Sequence, residues 1–188
     1  MKNFLAASLL LWALASSAQA HELESNRATL VLRDSQHLSL TFFVDYPGVL
    51  HQVLAPQRPL REFVLTYSAM KPQEFQSQLL DAQRKLQSTI GVTLHSGKAA
   101  TLTQWVWPEA KAVQTVLQQR AMQAVVAPAD HPHEAQMEIR AQASSSGQSD
   151  FSSIKLQLPP QFQQILVVSY QPKQMWIKPG APSPAIAF

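Results

Sequence analysis

Two neighbouring runs in which apolar and polar residues alternate constrain the fold of this chain most strongly. Every second residue is apolar between Ala28 and Leu32, and again between His37 and Asp45. The apolar positions are Ala28, Leu30 and Leu32 in the first run and Leu38, Leu40, Phe42 and Val44 in the second. A period of two is typical of a strand with one buried face, and the Asp34-Ser35-Gln36 cluster between the runs favours a turn. The sequence therefore predicts a β-hairpin that packs one face against a core.

The rest of the chain mixes helical and extended patterns. Helices are predicted within Leu60 to Met70, from Pro72 to the region before Gly91, and from Pro108 to the region before Ala127. Further strands are predicted at Val92–His95, Ala100–Trp107, Gln136–Ala141, Ile154–Leu158, Ile165–Tyr170 and Met175–Ile177. We therefore expect an α+β fold, an antiparallel sheet or sandwich with about two to three helices packed on one side or end.

The first twenty residues have the three parts of a secretory signal peptide. Lys2 is positively charged, an apolar run extends from Phe4 to Leu14, and Ala18-Gln19-Ala20 places small residues before a cleavage site. The apolar run is too short to span a bilayer, for which about 20 residues are needed. We expect residues 1–20 to be removed, so that the mature chain begins at His21 and lies in the periplasm, with secretion as the alternative.

Composition excludes several classes of protein. The chain has no cysteine, so an exported form would carry neither a disulfide nor a cysteine-linked lipid anchor. Its formal charge is +3 and no Lys/Arg cluster is visible, which argues against a nucleic-acid partner. No apolar run after the signal is long enough for a transmembrane helix. We expect a single α+β domain over residues 21–177, followed by a flexible proline-rich tail at 178–188.

No enzyme signature is present. The sequence contains no G-x-S-x-G elbow, no P-loop and no H-E-x-x-H motif, and without cysteine it has no thiol nucleophile. We therefore expect a non-catalytic protein, although an unrecognised hydrolase or oxidase stays open because geometry decides such sites.

The histidines are the candidate metal ligands. After cleavage, His21 would offer both its α-amine and its imidazole to one metal ion. His131 and His133 flank Pro132, which favours an extended segment with both imidazoles on the same side. Nitrogen ligands suit copper first and zinc second, while a chain that binds no metal is an equally open alternative. His37, His51 and His95 are weaker candidates to complete such a site.

The start of the mature chain resembles a family of periplasmic proteins. The signal ending Ala18-Gln19-Ala20, the following His21 and the strand that begins near Ala28 are similar to the opening of CopC-like copper carriers. More distantly, they resemble lytic polysaccharide monooxygenases, which hold copper in a histidine brace. The resemblance implies copper binding by His21 together with a further histidine. The helices between the two groups of strands depart from a plain CopC-like sandwich.

The alternative function is a metal-free periplasmic accessory or protein-interaction module. A glutamine-rich helical face (Gln114, Gln118, Gln119 and Gln123) is expected to face solvent, and an uncharged polar surface also suits a protein partner. Trp105 and Trp107 are expected to share one face of a strand, either in the core or lining a cleft.

Overall fold

The computed structural model describes residues 26–126, 136–145 and 151–172, without the side chains of residues 125 and 126. The signal peptide, His21, His131, His133, the predicted strand at 175–177 and the predicted tail at 178–188 lie outside the described residues.

Seven strands and four α-helices make up the described part of the chain. Their order is β1 (Arg27–Asp34), β2 (His37–Val44), α1 (Tyr46–Leu54), α2 (Leu60–Ser68), α3 (Pro72–Gln87), β3 (Gly91–Leu94), β4 (Thr101–Val106), α4 (Ala110–Val126), β5 (Met137–Ser144), β6 (Ile154–Gln157) and β7 (Leu166–Tyr170). A single turn of 3-10 helix, Pro160–Phe162, lies between β6 and β7. The protein is an α+β protein, as the sequence predicts.

Five of the strands form one mixed sheet in the order β4-β5-β2-β1-β7. The predicted hairpin is present: β1 pairs with β2 in antiparallel register, with Leu30 opposite Leu40. β5 continues the sheet on the other side of β2, with Ile139 opposite Phe42. At the edge, β7 runs parallel to β1, which alternation within a strand does not predict. The short strands β3 and β6 pair separately.

The hydrophobic core lies between one face of this sheet and the helices. The sheet contributes Ala28, Leu30, Leu38, Leu40, Phe42, Val44, Ile139, Ala141 and Ala143, all buried. The helices contribute Val49, Leu50, Phe63, Val64, Phe75, Leu79, Ala82, Leu86, Val113 and Leu117. The alternate residues of β2 are only partly buried. The predicted apolar face of the hairpin is therefore the face of the sheet that packs against the helices.

Helix α1 is the element that the sequence interpretation missed. Tyr46-Pro47-Gly48, expected only to end the strand, form the first turn of this helix. The Asp45 side chain caps the turn by accepting from the backbone N–H of Gly48 at 3.2 Å. Proline in the first turn has no N–H to leave unsatisfied. This extra helix brings the described total to four, one more than the upper expectation.

Candidate functional site

The first strand and the strand after α4 begin at the same end of the sheet. β1 and β5 are both antiparallel to β2, so they run in the same direction. Met137 lies opposite Val44, and the β1–β2 register, with Arg27 opposite Phe43, places Asn26 on the other side of Val44. Asn26 and Met137 are therefore two strand spacings apart, about 10 Å. We call this region, defined by Asn26, Val44, Asp45 and Met137, the Asn26 end of the sheet.

Asn26 joins three segments of the chain at this end. Its side-chain oxygen accepts from the backbone N–H of Asp45 at 2.9 Å. Its side-chain nitrogen donates to the carbonyl of Phe162 at 2.8 Å, and its own carbonyl accepts from the N–H of Leu166 at 2.8 Å. One residue thus fixes the start of β1 against the end of β2 and the start of β7.

Asp45 links the same end to helix α4. Its Oδ1 accepts from Nη2 of Arg120 at 2.7 Å, and the two side chains are only 20% and 12% exposed. A Cβ at position 48 would overlap the Asp45 carboxylate, so the cap requires glycine there. Because both partners are largely withdrawn from water, removal of either would leave a costly unpaired charge.

Four buried polar side-chain atoms have no hydrogen-bond partner within the described residues. These atoms are Nε of Arg27, Oη of Tyr46 and Nε of Arg120, and a fourth is Nε1 of Trp105. Arg27 and Tyr46 directly follow Asn26 and Asp45 in the chain, and Arg120 is paired with Asp45. Buried polar groups are normally satisfied, so these four atoms have hydrogen-bonding capacity that the described protein groups do not use.

A shallow polar depression opens beside this network. It has a volume of about 60 Å³ and is lined by Asn26, Asp45, Gly48, Val49, Gln161 and Gln163. Since one water molecule needs about 10–15 Å³ of such a cavity, the depression accommodates an ion or a small group of waters. A larger depression, about 240 Å³, lies at the β1–β2 turn and is open to solvent.

The three described histidines do not converge on a site. Nδ1 of His37 lies 2.9 Å from both oxygens of the Asp34 carboxylate, which accept from it, and this pair is exposed. The pKa of Asp34 is lowered, first because the backbone N–H of Gln36 donates to it and then because of His37. Nε2 of His51 contacts the carbonyl of Arg58 at 2.6 Å, and His95 is exposed at the end of β3.

Within residues 26–126, 136–145 and 151–172, no group of three or more potential ligand side chains could hold a metal ion. The expected ligands His21, His131 and His133 lie outside the described residues. The segments that carry them nevertheless join the described fold at known points. His21 precedes Asn26 by five residues, and His133 precedes Gln136 by three. Both segments therefore reach the fold at the Asn26 end.

The two tryptophans stack on one another, as their predicted common face requires. The ring centroids of Trp105 and Trp107 are 5.5 Å apart and nearly parallel, and Trp107 lies 6.3 Å from Tyr46. Gln104, which directly precedes Trp105, has a φ of 51°, and the β4–β5 register shifts between Thr103 and Val106. Both tryptophans pack against the core. They therefore belong to the core boundary rather than to an open aromatic platform.

The sequence interpretation missed the network of Asn26, Asp45 and Arg120. A signal for part of it was present, since an aspartate followed by Tyr-Pro-Gly is a typical helix start. Nothing in the sequence connects Asp45 with Arg120, because the two residues are 75 positions apart.

None of the helices in the described ranges combines the length and the apolar character that a membrane span requires. Comparison of the chain with protein-family models, with curated proteins and with solved structures found no match.

Proposed function

We propose that this protein is an exported, non-catalytic periplasmic protein that binds copper, or secondly zinc, through the mature N-terminal His21 together with His131 and His133. The observation that carries the proposal is the common end of the sheet at which the two histidine-bearing segments join the fold. β1 and β5 start at the same end of the sheet, on either side of β2.

Chain length is compatible with a shared site. An extended chain spans up to about 3.5 Å per residue, so five residues reach about 17 Å and three reach about 10 Å. The two attachment points, Asn26 and Gln136, are about 10 Å apart across β2. Metal–nitrogen bonds of about 2.0–2.1 Å are therefore within reach of His21 and of either histidine of the His131-Pro132-His133 segment.

The chemistry of these donors favours Cu(II). A terminal histidine chelates through its amine and its imidazole, and the amine, with a pKa near 8, loses its proton readily when a metal competes. Copper stands at the top of the divalent affinity series for nitrogen ligands. The family resemblance of the opening points to the same metal.

The test is calorimetric titration of the exported protein with Cu(II), after N-terminal sequencing has verified that the chain begins at His21. A variant that retains one extra methionine before His21 blocks the amine and should bind at least tenfold more weakly. The variants His131→Ala and His133→Ala should also weaken binding. Exposed His95→Ala is the matched control and should bind as the parent does.

Two results would reject the contribution of the mature N-terminus, and a third would reject the whole function. A mature chain that does not start at His21 removes the chelating terminus. Equal affinity with and without the extra methionine rejects the amine as a ligand. Absence of Cu(II) and Zn(II) binding in the parent protein rejects the metal function altogether.

A second candidate is a metal-free interaction module, and one observation favours it. Strand β7 carries exposed apolar side chains at the edge of the sheet, and such surfaces are typical of sites that receive another chain. Elemental analysis of the purified protein separates the two functions. A metal-free protein that keeps a stable partner in the presence of a chelator supports the module and contradicts the copper function.

A further inference from the structure

Strand β7 has an open edge among the described residues. It lies at the end of the five-stranded sheet, and among residues 26–126, 136–145 and 151–172 its one pairing partner is β1. The N–H of Leu166 donates to Asn26, so the backbone groups of Leu166, Val168 and Tyr170 face β1. Because backbone groups alternate along a strand, those of Val167 and Ser169 face away from the sheet. The edge therefore presents two N–H and two carbonyl groups.

The side chains at this edge are apolar and exposed. Leu166, Val167 and Tyr170 are 43%, 46% and 56% exposed. The chain contains no charged residue or histidine anywhere between Leu156 and Pro172. Natural proteins usually protect an open edge with charges, prolines or bulges, and β7 has none of these within the strand.

The opposite edge of the sheet is built differently. Strand β4 is interrupted between Thr103 and Val106, where its register with β5 shifts and Gln104 adopts a positive φ. An irregularity of this kind prevents a regular strand from pairing there. The contrast between the two edges indicates that β7 is the one suited to receive another strand.

We propose that β7 of a second copy of this chain pairs with this edge in antiparallel orientation, about a twofold axis at Val168. The backbone alternation fits that register: Val167 would exchange two hydrogen bonds with Ser169 of the second copy, and the symmetric pair would add two more. The sheets of the two copies would then form one continuous ten-stranded sheet. This inference does not depend on metal binding.

Self-complementarity is the reason for choosing a second copy over another partner. In this register Leu166 lies opposite Tyr170 of the second copy, and Val168 lies opposite Val168 of the second copy. Every exposed apolar side chain on the face of β7 that points away from the helices therefore gains an apolar neighbour. The absence of charge means that no like charges meet across the axis. On the inner face, Val167 is exposed although its neighbour Ala28 is fully buried, so the helix layer leaves this edge uncovered.

The test uses charge at the twofold axis. Sedimentation equilibrium of the purified full chain should show a monomer–dimer equilibrium. Val168→Lys and Val168→Glu each place like charges directly opposite and should raise the dimer dissociation constant about fivefold or more. An equimolar mixture of the two variants should recover dimers, because opposite charges then meet. Thr103→Lys, on the same face at the β4 edge, is the matched control and should dimerise as the parent does.

Each variant is first compared with the parent by circular dichroism, so that unfolding is not mistaken for dissociation. A parent chain that stays monomeric at all concentrations overturns the proposal. So does a dimer that both charged variants leave unchanged. A full chain that is monomeric but dimerises when truncated after Pro172 would show that residues 173–188 of the same chain occupy the edge instead.

Discussion

At the scale of single residues, Tyr46 has the most unusual environment in the described part of the protein. Its side chain is fully buried beside Trp107. Its hydroxyl has no hydrogen-bond partner in good geometry among the described residues, although the Gln83 side chain is near enough to lower its pKa. Burial raises the pKa of this hydroxyl well above its usual range, and Gln83 offsets that only in part. Tyr46 therefore keeps its proton in the folded state under conditions in which the unfolded chain ionises.

The variant Tyr46→Phe tests this environment. Near neutral pH we expect it to be neutral or to stabilise the protein by up to about 1 kcal/mol, because it removes a buried hydroxyl without a partner. Above about pH 10 the unfolded state of the parent loses the tyrosine proton while the folded state retains it, so the parent loses stability as pH rises. Urea unfolding at about pH 8 and about pH 11 should show that the advantage of the variant grows. A variant less stable than the parent at both pH values would show that the hydroxyl makes a hydrogen bond.

At the scale of elements, the glutamines of α4 connect two helices. They were expected to form a solvated face, and Gln118, Gln119 and Gln123 are exposed, but Gln114 is partly buried. The Gln114 amide donates to the carbonyl of Met70 at 2.7 Å, and the Gln118 amide donates to the carbonyl of Ser68 at 3.3 Å. The carbonyls at a helix C-terminus have no partner within the helix, and here the neighbouring helix supplies one. These two glutamines therefore bind the end of α2 to α4.

Loss of this connection should be measurable. Gln114→Ala removes a partly buried hydrogen bond and should lower the free energy of unfolding by about 1 kcal/mol. Gln119→Ala, on the exposed face of the same helix, is the matched control and should change it by less than about 0.5 kcal/mol. Urea denaturation followed by circular dichroism measures both. Equal effects of the two substitutions would contradict a connecting role for Gln114.

At the scale of the whole molecule, residues from both ends of the described chain meet in one core. Phe162, which lies in the 3-10 turn before β7, is fully buried and contacts Phe42 of β2 with ring centroids 5.7 Å apart. The same core includes residues from all four helices. Since a single cluster joins all these segments, the described fold should unfold as one cooperative unit.

The variant Phe162→Ala tests whether the fold unfolds as one cooperative unit. Removal of a buried phenylalanine leaves a cavity and should cost about 4 kcal/mol. The urea transition should shift by the same amount in far-ultraviolet circular dichroism and in tryptophan fluorescence, because Trp105, Trp107 and the helices pack against the same core. Exposed Leu80→Ala on α3 is the control, with an expected change below about 0.5 kcal/mol. Separate transitions for the two probes would show that the C-terminal segment unfolds independently.

Local sequence patterns determined most of the elements of this protein. The β1–β2 hairpin follows from an apolar residue at every second position, and α3 follows from a proline at its start with Phe75, Leu79 and Leu86 at helical spacing. Such signals work because the repeat of a strand or a helix decides by itself which side chains share a face. Helix α1 was missed since its nine residues directly follow a strand and begin with a Tyr-Pro-Gly sequence that also suits a turn.

Tertiary structure alone decided which elements meet. No local pattern places β7 parallel to β1, connects Asp45 with Arg120, or turns Gln114 towards the end of α2. These contacts join residues far apart in the chain, and each exists because buried polar groups and sheet edges must find partners once the core has formed. The histidines of the candidate metal site were read from the sequence. Only the sheet relates them to one another: β1 and β5 start on either side of β2. The segment that carries His21 and the segment that carries His131 and His133 therefore join the sheet at the same end.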